Sequence, residues 1–344
     1  MNQSVYIVLL NWNGWGDTIA CLESVFGLQD VSFKVIVCDN DSGDGSLECI
    51  QQWASGRLRA VKPSHSRLAR LQEAGSPENL KHRTIMASEL GDLPFDDASE
   101  LTIIDNQANL GFAAGNNTGI RYALAQKDMS HVWLLNNDTL VEPCGLRKML
   151  DRSAVTGQRF VCGSRIMFYD NPSVIQAIGG NSYNPWTGNA SQSLGRYLPE
   201  NTELDVASYE SALDYVCGAS MLVPRRFLHE VGLMQPDYFL YYEEIDWITR
   251  ASPSFKNCVA IDSVVYHKEG SSIGSASFSR RSSALSEFYM FRNKLRYTRR
   301  FHWYALPTCY LSSWLQFANR IRQKRFKNAL VIAATLLGFR AYGS

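Results

Sequence analysis

Short apolar runs alternate with polar loops and amphipathic segments over much of this chain. Residues 5–10 and 132–135 are continuous apolar runs, and the predicted strand 34–38 is apolar after Lys34, as expected of strands buried on both faces of a parallel sheet. The segments TIACLESVFGL and LECIQQW, which follow the first two runs, have helical spacing. This repetition of strand, polar loop and helix predicts an α/β fold with a mostly parallel central sheet flanked by helices.

Two segments depart from this rhythm. Residues 63–100 are mostly polar and contain three prolines, so we interpret them as an insertion without a core strand in a domain covering residues 1–270. Residues 271–344 form a helical, aromatic and basic extension, whose apolar runs are too short or too interrupted for a roughly 20-residue membrane span. We expect this extension to lie on an anionic membrane face. The alternative is a pair of helices packed on the core.

Composition narrows the function classes. Among 344 residues, 45% are hydrophobic and 19% are charged, as in ordinary folded proteins, and a net charge of +1 gives no field that would attract nucleic acid. None of the eight cysteines forms a C-x-x-C pair, which argues against a zinc site. The first strand follows no basic or cleavable leader, so we expect no signal peptide and a reducing, cytoplasmic location.

Polar clusters follow three of the apolar runs, and the carboxyl ends of strands in open α/β sheets are where ligands bind. Asn136, Asn137 and Asp138 follow the run 132–135, and one carboxylate flanked by amides suits a divalent cation that also holds phosphate. An Asx turn without metal is the alternative. Asp39 follows the second run, where it either contacts a ligand or caps the next helix.

Three further features are candidates for chemistry. The small residues of GFAAG at 111–115 permit close backbone approach to a ligand, although neither the P-loop nor the dinucleotide pattern is present. Glu243 and Glu244 stand beside several aromatics and would raise one another's pKa. A solvated first helical turn is the alternative, but their position within YFLYYEE favours a cleft. His267 ends a strand and is either a metal ligand or a packed histidine.

Taken in order, NWNG, CDNDSGDGS, NLGFAAGNN, LLNNDT, VCGASMLVPRRFLHEVG, YYEEIDW and YHKEGSS resemble one family. The chain is similar to inverting family 2 glycosyltransferases of the GT-A fold, and within them to bacterial rhamnosyltransferase-like enzymes of cell-surface polysaccharide assembly. The resemblance covers residues 4 to about 300 apart from the insertion. It implies a hexosyltransferase with a C-terminal helical extension.

The resemblance also implies roles for individual residues. Glu244 matches the catalytic base. Asp138 matches the acidic metal ligand of a D-x-D motif that is degenerate at Asn136, and His267 matches a histidine that completes the shell around Mg²⁺ or Mn²⁺ in relatives. Asp39 matches a residue that contacts the nucleoside base of the donor. The remaining residues expected at the substrate site are Asn11, Asn109, Asn116, Asn137, Glu243, Asp246 and Trp247.

The implied reaction moves a sugar from a nucleotide-diphosphate donor, with dTDP-L-rhamnose expected, to a hydroxyl of a glycan or polyprenyl-diphosphate-linked glycan. The enzyme would be peripheral on the inner face of the cell membrane, and a homodimer is a candidate assembly. Two alternatives stay open. A nucleotidyltransferase would want a basic Gly-rich loop after the first strand, where NWNGWGD has no Lys or Arg. An inactive nucleotide-sugar-binding module would explain Asn136 and Glu244 at positions where aspartate is commoner.

Overall fold

A mixed ten-stranded sheet organises the protein, with two small two-stranded sheets beside it. The computed structural model describes residues 4–73, 80–91, 98–157, 159–190, 193–268 and 283–339. In chain order its strands are β1 Ser4–Asn11, β2 Phe33–Asp39, β3 His82–Met86, β4 Leu101–Asp105, β5 Met129–Asn136, β6 Thr139–Val141, β7 Phe160–Phe168, β8 Ile175–Ile178, β9 Gly180–Asn181, β10 Tyr183–Asn184, β11 Asn189–Ala190, β12 Tyr215–Val216, β13 Ser220–Pro224 and β14 Lys256–His267.

Helices cover both faces of the sheet and form the C-terminal part of the described chain. They are α1 Trp15–Val25, α2 Ser46–Ala54, α3 Ser66–Glu73, α4 Gly111–Ala125, α5 Gly145–Thr156, α6 Val206–Ala212, α7 Arg225–Val231, α8 Glu243–Ala251, α9 Ala284–Phe301, α10 Leu306–Arg322 and α11 Phe326–Leu336. The predicted helices after the first two strands are present as α1 and α2.

The sheet has strand order β3-β4-β2-β1-β5-β13-β7-β14-β6, with β8 paired to β7. From β3 to β5 all neighbours are parallel, as the sequence predicts. Strand β13 then runs antiparallel between β5 and β7. Because β1, β2 and β5 are parallel, their carboxyl ends and the loops that follow them meet at one edge of the sheet.

Strand β1 shows why the apolar runs are continuous. Val5, Ile7 and Leu9 belong to the core layer on one face of the sheet, whereas Tyr6 and Val8 belong to the layer on the other face. Alternate side chains of a strand point to opposite faces. A strand covered by helices on both sides must therefore be apolar at every position.

The polar segment 63–100 is only partly an external insertion, which corrects our expectation that it holds no core strand. Residues 82–86 form β3, which pairs in parallel with β4 at the edge of the main sheet. Helix α3 buries Leu68 and Leu71. The segment looked irregular because an edge strand is half-exposed and therefore lacks an apolar run. The remainder of this expectation, at 74–79 and 92–97, falls outside the described residues.

The segment after residue 174 adds a further strand to the main sheet. Residues 175–178 form the buried strand β8, which is antiparallel to β7. The C-terminal part is helical, as expected. Among the helices of the described residues, none combines the length and apolar content that crossing a lipid bilayer requires.

Candidate active site

The turn between β5 and β6 brings three of the predicted metal ligands together. Strand β6 pairs antiparallel with β14, so that Thr139 lies opposite His267. The Nε2 atom of His267 is 3.2 Å from Oδ1 of Asp138 and 3.3 Å from Nδ2 of Asn136. The side chains of His267 and Asp138 are buried, and that of Asn136 is half-buried. Residues about 130 positions apart in the chain thus form one polar cluster.

The donor atoms of this cluster fit a divalent cation. His267 Nδ1 lies 2.8 Å from Oε1 of Gln176, which can only accept, so we assign the ring proton to Nδ1. Nε2 then accepts from Nδ2 of Asn136 and also faces a carboxylate oxygen of Asp138, and a shared cation would relieve the contact between these two acceptors. A histidine oriented by a neighbouring acceptor is the usual arrangement at metal sites. Carboxylate and amide oxygens suit Mg²⁺ and Mn²⁺.

Two of the three predicted metal ligands are strong donors, the carboxylate of Asp138 and the imidazole of His267. Among the described residues no cluster of three or more His, Cys, Asp or Glu side chains could hold a metal ion. Asp138 and His267 with the weaker Asn136 would therefore leave coordination positions for oxygens of a bound molecule, which is how Mg²⁺ is commonly held with phosphates.

The carboxyl ends of β1 and β2 carry a second cluster, in which the polar groups satisfy one another. Asn11 lies opposite Asp39 in the parallel ladder and donates to it at 2.6 Å. Thr18 donates to Asn11 at 2.6 Å and accepts from Nδ2 of Asn137 at 2.9 Å. This network fixes the turn at 136–138 against the loops after β1 and β2.

Asp39 is committed to the protein itself. Its carboxylate accepts hydrogen bonds from Asn11, from the Ser42 backbone N–H at 2.9 Å and from the Ser42 hydroxyl at 2.7 Å. The residue has 0% exposure. In this structure Asp39 holds the loop after β2 through Ser42, and it does not cap α2, whose N-cap is Gly45 without a side-chain cap. Its contact with a nucleoside base stays a prediction.

The loop and helix at 109–119 serve packing more than expected. Asn109 Oδ1 accepts from the Gly111 N–H at 3.1 Å, and Asn116 Nδ2 donates to the Phe112 carbonyl at 2.9 Å. A side chain at Gly115 would collide with Leu10 of β1 and with Asn40, which follows β2. These small residues therefore allow α4 to approach the sheet closely. Their approach to a ligand stays a prediction.

Glu243 and Glu244 begin α8, where their environments differ. Glu244 is half-buried, and its carboxylate accepts a hydrogen bond from the backbone N–H of Gly218. Glu243 is buried, and its Oε2 atom has no hydrogen-bond partner among the described residues. Burial raises the pKa of both carboxyls, and the neighbouring Glu244 raises that of Glu243 further. Glu244 is thus the more accessible of two carboxyls that protonate above the usual pH.

A two-residue segment links the two acidic groups. Gly218 donates to Glu244, and the carbonyl of the next residue, Ala219, accepts from the Asn136 backbone N–H at 3.1 Å. A Cβ atom at Gly218 would collide with the Glu244 carboxylate, so only glycine permits this approach. The turn that carries the predicted metal ligands and the first residues of α8 therefore both contact the two residues directly before β13.

Two further residues of α8 that were predicted to contact substrate are buried inside the protein. Asp246 has 0% exposure and forms ion pairs with Arg250 and Arg300, each at 2.8 Å, while Tyr238 donates to it at 2.9 Å. Trp247 is buried in the core and donates to the Gly232 carbonyl at 2.8 Å. Both side chains face the protein interior. They differ from the half-buried Glu244 on the same helix because the residues of a helix point in different directions. The structure shows packing contacts for these two residues, and their contact with substrate stays a prediction.

Sequence reasoning missed Gln176 and Gly218. Gln176 is a buried polar residue in β8, and its only sequence signal is a polar position inside the apolar run IQAI. Gly218 lies next to a buried strand, where glycine commonly marks close approach by another group. Both contacts join residues far apart in the chain.

The central part of the sequence matches a known family. Residues 91–230 match the family model described as Glycosyl transferase family 2. The match covers 140 of the 344 residues, so the central part of the chain is similar to family 2 glycosyltransferases. The matched residues include β5, the turn at 136–138 and Gly218, whereas α8 and His267 lie beyond them. This similarity agrees with the resemblance on which the prediction of a glycosyltransferase rests.

One curated relative is the low-salt glycan biosynthesis hexosyltransferase Agl10 of Haloferax volcanii. It is 24% identical over 172 residues, which cover 48% of this chain and 52% of that protein. The chain thus matches about half the length of this relative.

Two solved structures share the fold. The mannosyltransferase PcManGT of Pyrobaculum calidifontis, in complex with GDP-Man and Mn²⁺, has a TM-score of 0.50 at 13% identity, covering 98% of this chain and 87% of that chain. GalNAc-T7, solved with UDP, GalNAc and Mn²⁺, has a TM-score of 0.53 at 12% identity, covering 85% and 47%. With the mostly parallel sheet flanked by helices, they confirm the predicted GT-A fold.

Proposed function

We propose that this protein is a metal-dependent, inverting glycosyltransferase that moves a sugar from a nucleotide-diphosphate donor to a hydroxyl of a glycan or lipid-linked glycan. The observation that carries this proposal is the Gly218–Ala219 link. It ties Glu244 and the Asn136–Asp138 turn to consecutive residues of one segment. A group that binds a leaving diphosphate and a group that accepts a proton must border the same space for single displacement.

In the proposed reaction the bond between the anomeric carbon and the diphosphate oxygen breaks, and its electron pair leaves with the diphosphate. The acceptor oxygen forms the new bond on the opposite face, and its proton passes to the Glu244 carboxylate. The raised pKa of Glu244 makes it a stronger base than an ordinary glutamate. Inversion follows from a single displacement.

Asp138 and His267, with Asn136, would hold Mg²⁺ or Mn²⁺. When bound, a divalent cation supplies Lewis-acid stabilisation of the charge on the leaving diphosphate. Gln176 keeps the His267 ring in the orientation that directs Nε2 toward this position. The Asn11, Thr18 and Asn137 network holds the turn that carries Asp138. Both Mn²⁺-containing structures with a similar fold are consistent with this assignment.

For the donor sugar, dTDP-L-rhamnose is the first candidate, on the resemblance described above. The similar structures contain GDP-Man, or UDP with GalNAc, so a thermal-shift panel should include dTDP, UDP and GDP sugars with and without Mn²⁺. A ligand of the native state stabilises it by mass action, by about 2.7 kcal/mol at a concentration 100 times its Kd. We expect dTDP-L-rhamnose to raise the Tm of the protein, and we expect this rise only when Mn²⁺ is present.

The test of the base is Glu244→Gln, which retains an oxygen to accept from Gly218 but cannot take a proton. We expect turnover to fall by about 10²–10⁴-fold with donor binding retained. Glu230→Gln, at a surface ion pair with Arg226, is the control and should transfer normally. Unchanged turnover in Glu244→Gln would exclude Glu244 as the base. Donor binding without turnover in the wild type would favour the inactive binding module.

We further propose that the C-terminal helices bind an anionic membrane surface, which is where a lipid-linked acceptor would be found. Ten of the fifteen exposed large hydrophobic side chains among the described residues lie between 303 and 339. After Glu287 the sequence has eleven Lys or Arg residues and no Asp or Glu. Exposed apolar groups within a basic segment are typical of helices that lie on anionic lipid.

Sedimentation with phosphatidylglycerol-containing vesicles tests this surface against vesicles of neutral phosphatidylcholine. We expect binding to the anionic vesicles only, weakened by salt. Replacing Trp303, Leu315 and Leu330 by serine should abolish it, because these side chains are 65–71% exposed and contribute little to the core. Val155→Ser, at another exposed apolar residue, is the control. Equal binding to both vesicle types, or binding unaffected by the triple substitution, would contradict the proposal.

A further inference from the structure

The five residues that lead into α8 have an unusual backbone. Phe239, Tyr241 and Tyr242 adopt φ angles of 64°, 66° and 74°. Non-glycine residues with such angles are uncommon, and each costs on the order of 1–3 kcal/mol unless the surroundings enforce it. Three of them occur within four residues, directly before Glu243. Contacts from other parts of the protein must therefore stabilise this backbone conformation.

Asn293, in the middle of α9, makes the most concentrated set of contacts with this segment. Its Nδ2 atom donates to the carbonyl oxygens of Tyr238 at 2.6 Å, Leu240 at 2.7 Å and Tyr241 at 3.2 Å. The residue has 0% exposure. The orientation of its amide is determined by the partners, because three carbonyl oxygens require a donor and would repel the amide oxygen.

Other residues of α9 contact the same part of the chain. Ser286 hydrogen-bonds the Tyr241 hydroxyl at 2.9 Å, and the Tyr289 ring stacks on Phe239 with centroids 4.7 Å apart. Together with Asn293, these positions follow helical spacing of three and four residues, so they lie along one face of α9. The helix therefore presents a continuous stripe to the segment before Glu243.

A second element closes the other side. The backbone N–H of Phe112, in α4, donates to the Phe239 carbonyl at 2.6 Å. Gly111 must be glycine there, because its φ is +75° and a Cβ atom would collide with Phe239. The segment is thus held between α4, which belongs to the family-matched region, and α9, which lies beyond it.

We propose that Asn293 is a positioning residue, whose amide holds the left-handed segment 238–242 and thereby sets the place of Glu243 and Glu244 at the start of α8. The inference rests on the proposed function of Glu244. It extends that function to a helix outside the expected catalytic domain of residues 1–270. Helix α9 is then part of the catalytic architecture.

The test compares Asn293→Leu with Asn257→Leu. Asn257 is a matched control, since its Nδ2 atom also donates to backbone carbonyls, of Leu213 and Asp214, each at 3.0 Å. We expect Asn293→Leu to lower kcat by about 10–100-fold with the donor KM unchanged, because misplacing a reacting group by about 1 Å can cost that much. Asn257→Leu should lower Tm but leave kcat within about twofold.

Amide hydrogen exchange of residues 236–246 supplies a readout that does not depend on activity. Asn293→Leu should raise exchange there and the control should not. If Asn293→Leu does not fold, Asn293→Ser keeps one hydroxyl donor and should give a smaller change in both measurements. Exchange that is unchanged, or a kcat loss equal to that of Asn257→Leu, would overturn the proposal. Failure of the proposed function would look different: the wild type would not turn over any nucleotide sugar.

Discussion

The two parts of the proposed site are built in opposite ways. At the carboxyl ends of β1, β2 and β5, the polar side chains pair with one another, and Asp39 alone accepts three hydrogen bonds. Before α8, three non-glycine residues have left-handed backbones and a buried carboxylate oxygen of Glu243 lacks a hydrogen-bond partner among the described residues. The first part is held by the strand register next to it. The second depends on distant elements.

This difference indicates where the protein tolerates an energetic cost. A strained backbone and a desolvated carboxylate are unfavourable, and they occur together where the proton acceptor is proposed to act. The part proposed to bind metal would need only a fixed arrangement of ligands, which satisfied hydrogen bonds supply. Each of the following changes affects one part and should spare the other.

The largest effect is expected from Gly218→Ala. The added methyl group would collide with the Glu244 carboxylate and displace it, so kcat should fall by about 10²-fold while the metal requirement stays the same. Gly91→Ala is the matched control, because no atom of the described residues lies within 4 Å of its added Cβ atom. Steady-state kinetics at several Mn²⁺ concentrations measures both quantities. A normal kcat would show that Glu244 can act from another position.

Substituting Gln176 tests the other part. Gln176→Met removes the acceptor that orients His267, and we expect about 10–100-fold weaker activation by Mn²⁺, with kcat recovered at high metal concentration. Gln72→Met is the control, since that buried amide has no hydrogen-bond partner among the described residues. Identical metal titrations of the Gln176 variant and the wild type would argue against His267 as a ligand.

The pH dependence of kcat/KM reports on the base. Because burial raises the pKa of Glu244, its active carboxylate is lost at higher pH than for an ordinary glutamate. The rate should fall tenfold per pH unit on the acid side, with a midpoint above about 4.3. Glu244→Asp should keep an acid limb at lower overall activity. A midpoint at or below the ordinary value would contradict burial of this carboxyl in the free enzyme.

The smallest effect concerns stability near the strained segment. Lys294 follows Asn293, is buried without a hydrogen-bond partner among the described residues, and burial lowers its pKa to about 8. Between pH 8 and about 10.5 the unfolded state binds more protons, so wild-type stability should rise with pH in that window. Lys294→Met should be more stable at pH 7 by at least about 1 kcal/mol and lack this rise. Urea unfolding at pH 7 and at about pH 10.5 measures both effects. A lower free energy of unfolding for Lys294→Met at pH 7 would show instead that the ammonium stabilises the native state.

Sequence patterns could predict the parallel strands, the helices between them and the polar residues at the strand ends, because those features repeat within a few residues. They also pointed to Asp138, His267 and Glu244, which the structure places in or beside the two acidic groups. The same patterns could not separate Glu244 from Asp246. The two residues share one helical turn, and only packing shows that Arg250 and Arg300 occupy the latter.

What the sequence determined by itself is therefore the α/β architecture and the types of residue at the ends of its strands, since side-chain periodicity is a local property. Tertiary structure alone decided which of them meet. The approach of Gly218 to Glu244, the orientation of His267 by Gln176 and the hold of Asn293 on the segment before α8 each join residues more than 25 positions apart. Such contacts depend on how the layers pack, and no local spacing specifies that.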